Sequence, residues 1–327
     1  MTPPTAADAF ALYSNHFEQY ESALGAFEQR IGAALAAEGI DYRTQSRAKT
    51  PSGFYKKIMR KNYQDPWHEC SDLLGVRIIL PLEPLKDAAH VAIEAATDLS
   101  ILRVEDGRKT ADPRELRYSG LHLFLTMPDL KNHAGEPYRC EVQLKSEAEN
   151  SWGDVEHRYV YKKPYKIRPE LVHRFERLLV LVELFDEELA TAVEEMRLLP
   201  EFQRFEFGQF LDERYVDLVG ASGDEYLSIL NLGLLIPDTG LIERYGDMVR
   251  AYIATSGELL TRVYFENGPA SAGFDIDRDW LVTQPESLLV LTLLRDDPYG
   301  LRVTLTDTDL FEPTLALASM VGADAFS

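Results

Sequence analysis

Four short apolar segments in the middle of the chain constrain its fold more than any other feature of the sequence. They cover residues 75–80, 99–104, 121–127 and 138–144. Helix-like patterns surround them at 6–38, 52–62, 84–97, 146–161 and 169–199, and Ser52 is the expected N-cap of the second helix. Because strands and helices are interleaved without a strict βαβ repeat, we predict an α+β fold with a mixed β-sheet flanked by helices.

A change in composition at Pro200 predicts two domains, in agreement with a length of 327 residues. Residues 201–327 contain eight Arg, no Lys and 22 acidic residues, a net charge of −14, whereas the first 200 residues carry only −6. The later part is rich in leucine and in turn clusters, which favours helices. We therefore expect the α+β domain at 1–200 and an acidic, mostly helical domain at 201–327.

One basic segment runs against the overall net charge of −20. Residues 41–62 hold seven basic side chains and a single acid. Arg47 and Lys49 lie on one side of the extended chain that leads to a helix. Lys57 and Arg60 share one face of that helix. Cations presented in this way can hold a polyphosphate at several points, with Arg supplying forked contacts and Lys supplying point charges.

Two acids and an amide are candidates for phosphoryl chemistry. Asp72 precedes the segment at 75–80, and Glu141 lies within the segment at 138–144 with Gln143 on the same side. Carboxylates on neighbouring strands can hold Mg²⁺, because hard cations prefer oxygen ligands. The alternative is that Asp72 caps a turn and that Glu141 pairs with a cation on an exposed sheet face. Neither a Walker A sequence nor GxGxxG occurs, which excludes the P-loop and Rossmann modes of phosphate binding.

Five sequence motifs follow one another between residues 46 and 162. They are SRAKTPSGFYKKIMRK (46–61), SDLLGVRIIL (71–80), RYSGLHLFL (117–125), EVQLKS (141–146) and SWGDVEHRYVYK (151–162). In order and spacing they resemble the synthetase domain of the RelA/SpoT alarmone synthetases. Nothing resembles that family's His-Asp hydrolase domain or its regulatory C-terminal region. The resemblance is therefore to the small members with a single synthetase domain, and it implies a nucleotidyltransferase-like sheet.

The resemblance implies an activity and a set of site residues. In the family, the pyrophosphate of ATP moves to the ribose 3′-hydroxyl of GDP or GTP, with Mg²⁺ as cofactor, and (p)ppGpp-type alarmones result. The implied ATP-binding residues are Arg47, Lys49, Lys57, Arg60 and Arg77. The implied catalytic residues are Asp72, Glu141 and Gln143, and Asp72 and Glu141 are also the implied metal ligands. The implied acceptor-binding residues are Tyr118, which would stack on the base, His122 and Lys145.

The acceptor side departs from the family pattern and leaves alternatives open. Arg117 stands where the family usually has Gly, and Lys145 stands where it often has Arg. Some small family members act as toxins that make adenosine alarmones or pyrophosphorylate the 3′ end of tRNA. A basic cluster could serve a tRNA acceptor, although the acidity of the chain disfavours nucleic acid. This cluster consists of Lys162, Lys163, Lys166 and Arg168. A degenerate nucleotide-binding regulatory protein is the third alternative, and the presence of both Asp72 and Glu141 argues against it.

Location and assembly follow from what the sequence lacks and from its charge. We expect a cytoplasmic protein without a membrane partner, because the first residues show no signal-peptide pattern and no run approaches the ~20 apolar residues of a membrane span. Two cysteines without CxxC spacing exclude a zinc ribbon. A homo-oligomer is a further expectation. The acidic part at 201–327 is expected either to restrain the basic domain or simply to stabilise it.

Overall fold

A five-stranded mixed β-sheet organises the first part of the chain. Its strands are β1 (Arg43–Ala48), β2 (Leu74–Leu80), β3 (Ser100–Asp106), β4 (Leu121–Lys131) and β5 (Pro137–Ser146). They lie in the order β1-β2-β5-β4-β3, with β2 and β5 parallel and the other neighbours antiparallel. The computed structural model describes residues 5–110, 120–161 and 163–323. The chain divides into two compact units, Met1–Ala192 and Val193–Ser327.

The predicted α+β class with a mixed sheet is confirmed. Strands β2 to β5 match the four predicted segments with ends shifted by a few residues. β1 is an additional edge strand with the polar sequence RTQSRA, and five of its six residues are exposed. Apolar alternation cannot reveal such a strand, because neither of its faces is buried. The assignment of domains at 1–200 and 201–327 stays a prediction.

One face of the sheet is apolar and packs against two helices. The inward side chains of the two central strands are buried almost completely, among them Leu74, Val76 and Ile78 in β2 and Val142 and Leu144 in β5. α2 (Phe17–Ala37) and α5 (Leu85–Ala95) pack against this face and complete the core. Since successive side chains of a strand point to opposite faces, the residues in between lie on the other face.

The other helices up to the boundary include two short ones that were not predicted, and the rest are shorter than predicted or begin one residue earlier. They are α1 (Ala6–Asn15), α3 (Pro51–Lys61), α4 (Pro66–Glu69), α6 (Gly107–Thr110), α7 (Glu147–Tyr159) and α8 (Pro169–Arg197). The prediction of one helix at 6–38 was wrong, because the backbone leaves the helical conformation at His16 (φ −111°, ψ 10°) and separates α1 from α2. Ser52 is not the N-cap of α3. Thr50 is, with its hydroxyl accepting from the Gly53 N–H at 3.2 Å, because Pro51 fits the first helical position.

The second unit is helical throughout its described residues. Its α-helices are α9 (Pro200–Val219), α10 (Glu225–Leu235), α11 (Ile242–Asn267), α12 (Ile276–Asp279), α13 (Ser287–Asp296), α14 (Pro298–Leu305) and α15 (Phe311–Met320), with 3₁₀ turns at Thr239–Leu241 and Trp280–Thr283. The core surrounds α13, of which residues 287–294 are all buried. The predicted mostly helical C-terminal part is confirmed. No helix among the described residues is long and apolar enough to cross a membrane.

Candidate active site

The polar face of the sheet carries most of the candidate site residues. The register places Arg77 of β2 opposite Gln143 of β5, and His122 of β4 lies opposite Gln143 on its other side. Glu141 is two residues before Gln143 on the same strand and therefore projects from the same face. Gly75 is its neighbour in β2 and has no side chain to cover the carboxylate. The sheet thus gathers an acid, an amide, an imidazole and a guanidinium on one surface.

Glu141 is held at its carboxylate by two neighbours. Its Oε1 accepts from Gln143 Nε2 at 3.0 Å and lies 3.2 Å from His122 Nδ1. The side chain is 16% exposed. Burial raises the pKa of Glu141, but the hydrogen bonds from His122 and Gln143 outweigh burial and leave the pKa below its ordinary value. The group is therefore an oriented carboxylate at neutral pH, suited to accept a proton or to bind a cation.

Asp72 lies just before β2 and forms a second, more strongly charged centre. Its Oδ1 accepts from Lys57 Nζ at 2.7 Å, and its Oδ2 lies 3.0 Å from Lys49 Nζ. Cys70 Sγ also donates to Oδ1 at 3.2 Å. Burial raises the pKa of Asp72, but the two ammonium groups outweigh it and hold that pKa at about 2. The ion pairs with two lysines, rather than a turn cap, therefore account for an acid at this position.

The connection from β1 to α3 brings the two lysines together. Lys49 directly precedes Thr50, and its backbone N–H donates to the Leu73 carbonyl at 2.7 Å, next to Asp72. Phe54 and Ile58 bury one side of α3 in the core, which turns Lys57 toward the sheet. Burial lowers the pKa of Lys57, but its hydrogen bond to Asp72 and the acidic groups around it together outweigh burial and raise the pKa above its ordinary value.

All these groups line one cleft of about 1260 Å³ in the first unit. The predicted residues on its wall are Arg47, Lys49, Lys57, Arg60, Asp72, Arg77, His122, Glu141, Gln143 and Lys145. Pockets for a single small molecule usually measure ~300–1,000 Å³, so this cleft has room for a donor and an acceptor nucleotide side by side. Lys56 and Lys61 line it as well and were not among the predicted site residues.

Arg77 is tied to α7, a contact that the sequence did not indicate. Its Nη1 donates to Asn150 Oδ1 and to Asp154 Oδ1, both at 2.7 Å, and to Gln45 Oε1 at 3.1 Å. These partners fix the guanidinium at the edge of the cleft. Asn150 and Asp154 are one helical turn apart, a spacing that places both on one face of α7.

Lys145 ends the row of polar residues on β5. The side chain is almost fully buried. Burial lowers the pKa of Lys145 to about 8, and the nearby Arg77 acts in the same direction. A Cβ at Gly153 of α7 would lie 2.9 Å from Lys145 Nζ, so a side chain there would displace this ammonium group. The Lys145 side chain therefore loses its positive charge as pH rises through about 8.

Two of the predicted residues lie outside the described part of the chain. Tyr118 falls in the segment 111–119, and Lys162 is the first residue of the basic cluster. The remaining members of that cluster follow in the segment between α7 and α8, where Lys166 and Arg168 are exposed and Lys163 is half-buried. Among residues 5–110, 120–161 and 163–323, no group of three or more His, Cys, Asp or Glu could enclose a metal ion.

The donor set nevertheless fits Mg²⁺. Magnesium uses one or two carboxylates together with substrate phosphates and water, and does not need a closed protein cage. Asp72 and Glu141 face the same cleft, and the charge of Asp72 raises the pKa of Glu141. Asp72 is ionised under all physiological conditions.

The comparison with known protein families gives a match within the first unit of the chain. A model of the family described as "Region found in RelA / SpoT proteins" matches residues 46–166. The chain is 28% identical over 152 residues to the GTP pyrophosphokinase YwaC of Bacillus subtilis, a match that covers 45% of this chain and 70% of that protein. It is 26% identical over 148 residues to the GTP pyrophosphokinase YjbM of the same organism, covering 44% and 68%.

Solved structures share the fold of the first unit. The crystal structure of the small alarmone synthetase 1 from Bacillus subtilis matches with a TM-score of 0.50 and 21% identity, and the match covers 57% of this chain and 98% of that one. A GTP pyrophosphokinase family protein from Streptococcus pneumoniae matches with a TM-score of 0.50 and 17% identity, covering 57% and 94%. At these identities the similarity is one of fold.

Proposed function

We propose that this chain, whose residues 46–166 match the RelA/SpoT family model, transfers pyrophosphate from ATP to the ribose 3′-hydroxyl of GDP or GTP. The resemblance to the small alarmone synthetases and to GTP pyrophosphokinases, predicted from the sequence, is confirmed. The observation that carries the proposal is the cleft itself, because a basic site suited to a polyphosphate and an oriented carboxylate occupy the same cavity.

The donor half of the cleft is suited to the phosphates of ATP. Arg47, Lys49, Lys57 and Arg60 would bind them, with Arg77 contributing from the sheet. Lys49 and Lys57 can exchange the Asp72 carboxylate for phosphate oxygens, so the ligand-free protein keeps these cations in place without leaving them unpaired. Asp72 and Glu141 would hold Mg²⁺. That ion would neutralise charge on the phosphates when bound.

The acceptor half is organised around Glu141. Its carboxylate would accept the proton of the 3′-hydroxyl as the 3′-oxygen forms a bond to the β-phosphorus of ATP, and the bond from this phosphorus to the α-β bridging oxygen breaks to release AMP. Gln143 and His122 orient the carboxylate for this step. Lys145 would pair with charge on the acceptor, and Tyr118 would stack on its base.

The test is a transfer assay with ATP labelled in its terminal phosphates and four acceptors in turn: GDP, GTP, ATP and deacylated tRNA. We expect AMP and a 3′-pyrophosphorylated guanosine nucleotide to form in equal amounts with GDP or GTP. A folded protein that binds ATP but labels none of the four acceptors would refute the proposal. Such a result would support the degenerate regulatory protein instead.

One observation supports a second candidate, transfer to the 3′ end of tRNA. Lys166 and Arg168 are exposed between α7 and α8, two of the helices that line the cleft. Transfer to tRNA should decline steeply as salt is added, because phosphate contacts release counterions. Labelled tRNA would favour this candidate, and labelled ATP would favour an adenosine alarmone. Cytoplasmic location and homo-oligomer formation stay predictions.

A further inference from the structure

We infer that Tyr13 is a positioning residue for the donor half of the cleft, acting through the backbone of Lys49. The inference rests on the proposed function, since it concerns how the ATP-binding residues are held. Tyr13 belongs to α1, which precedes the segment that matches the RelA/SpoT family model. In the sequence it stands out only as one apolar position in a helical pattern.

The Tyr13 hydroxyl donates to the carbonyl oxygen of Lys49 at 2.8 Å, and the Tyr13 side chain is fully buried. On its other side, Lys49 donates its N–H to the Leu73 carbonyl. Both polar groups of this residue's backbone are therefore fixed, one by α1 and the other by the residue after Asp72. The Lys49 side chain starts from a point that cannot shift without breaking one of these bonds.

The ring of Tyr13 connects the same backbone to α3. Its centroid lies 5.0 Å from that of Phe54 in α3 and 6.4 Å from that of Trp67 in α4. Phe54 anchors the helix that carries Lys57 and Arg60. One buried side chain thus contacts both supports of the donor cations, the end of β1 and the first turn of α3. Burial raises the pKa of Tyr13, so the hydroxyl keeps the proton that it donates.

The decisive variant is Tyr13→Phe, which removes the hydroxyl and keeps the ring. We expect the dissociation constant of a non-hydrolysable ATP analogue with Mg²⁺ to rise about three- to tenfold, the range expected for the loss of one hydrogen bond. KM for the acceptor should change less than twofold, because Glu141, Gln143 and His122 do not touch Tyr13. A purely structural role would instead lower the thermal stability and leave the affinity of the folded protein for ATP unchanged.

Tyr20→Phe is the matched control. Tyr20 is 3% exposed and packs edge-on against Tyr13 at 4.7 Å, yet its hydroxyl makes no hydrogen bond within the described chain. An equal loss of ATP affinity in Tyr20→Phe would overturn the inference, as would an unchanged affinity in a folded Tyr13→Phe protein.

A double-mutant cycle tests whether the effect passes through Lys49. In a Lys49→Met background, Tyr13→Phe should cost no further ATP affinity, because the side chain that it positions is gone. Additive effects would contradict the inference. ATP binding is measured without turnover, so a protein that binds ATP but transfers nothing would refute the proposed function and still decide the role of Tyr13.

Discussion

Asp72 in the first unit and Glu286 in the second are both shielded from most solvent, but their surroundings compensate for the lost solvation in different ways. Asp72 faces Lys49 and Lys57 and remains ionised. Glu286 is fully buried, its Oε1 accepts from Asn231, and its Oε2 has no hydrogen-bond partner among the described residues. Burial raises the pKa of Glu286 and favours the neutral acid.

This difference separates a site for ligands from a packed core. An ion pair at a cleft can exchange one partner for a charged ligand, so Asp72 and its lysines are available to phosphates and a metal ion. A buried acid inside a helical core has no charged partner that a ligand could replace. The two also respond to pH with opposite signs, since the stability from Asp72 is lost as pH falls toward about 2 and that from Glu286 is lost as pH rises.

The largest expected effect on turnover tests whether the Glu141 carboxylate of the first unit takes part in the reaction. Glu141→Gln should reduce turnover by ~10²–10⁴-fold, because the amide keeps the shape of the side chain but cannot accept the hydroxyl proton. Thermal stability should change little. Glu136→Gln, in the turn before β5, controls for the loss of a partly exposed carboxylate. Near-normal turnover in folded Glu141→Gln protein would rule out the assigned role.

The next effect separates the acceptor from the donor half. Tyr118→Ala should weaken acceptor binding by about 5- to 150-fold, because stacking of a base on an aromatic ring contributes ~1–3 kcal/mol. ATP affinity should hold, and Tyr165→Ala, an exposed tyrosine after α7, is the control. If ATP affinity falls while acceptor affinity holds, the ring stacks on the donor or has no stacking role.

The sequence predicted the sheet and its two faces because apolar alternation depends only on neighbours along the chain. It placed Glu141 and Gln143 on one face for the same reason. β1 was not predicted, since an exposed edge strand has no apolar face. The spacing of the basic residues indicated a polyphosphate site, and the motif resemblance implied that Lys49 and Lys57 bind ATP in particular.

The contacts that position the site could not be predicted, because they join distant residues. The pairing of Lys57 with Asp72 depends on how α3 packs on the core. His122 reaches Glu141 through the register of β4 and β5, and Arg77 reaches Asp154 through the packing of α7 on the sheet. Each contact is a consequence of tertiary packing, which helix and strand patterns in the sequence do not indicate.

Removal of residues 201–327 tests whether the second unit affects turnover by the first unit. We predict that a fragment ending at Pro200, which keeps α8 whole, turns over severalfold faster than the full chain. The reason is electrostatic, since residues 201–327 carry a net charge of −14 and the donor site is basic. Added salt should narrow the difference. A soluble fragment with unchanged turnover would exclude restraint, and an insoluble one would indicate a stabilising role.

The smallest expected effect concerns the buried acid Glu286 in the second unit. Because the pKa of Glu286 is raised in the folded chain, the folded state holds a proton that the unfolded state releases. The free energy of unfolding must therefore fall as pH rises from the ordinary pKa of glutamate to the raised one. Glu286→Gln removes this dependence, so we expect it to stabilise the second unit by about 1 kcal/mol at neutral pH and to lose that advantage in acid.

Trp280 allows this effect to be measured in the full chain. It is the one tryptophan of residues 193–327, so denaturant unfolding followed by its fluorescence, with Trp67 and Trp152 replaced by Phe, reports on the second unit. Glu258→Gln, an exposed acid on α11, should leave the pH dependence unchanged. If Glu286→Gln shows the same pH dependence as the parent, Glu286 is ionised in the folded protein and the contrast with Asp72 disappears.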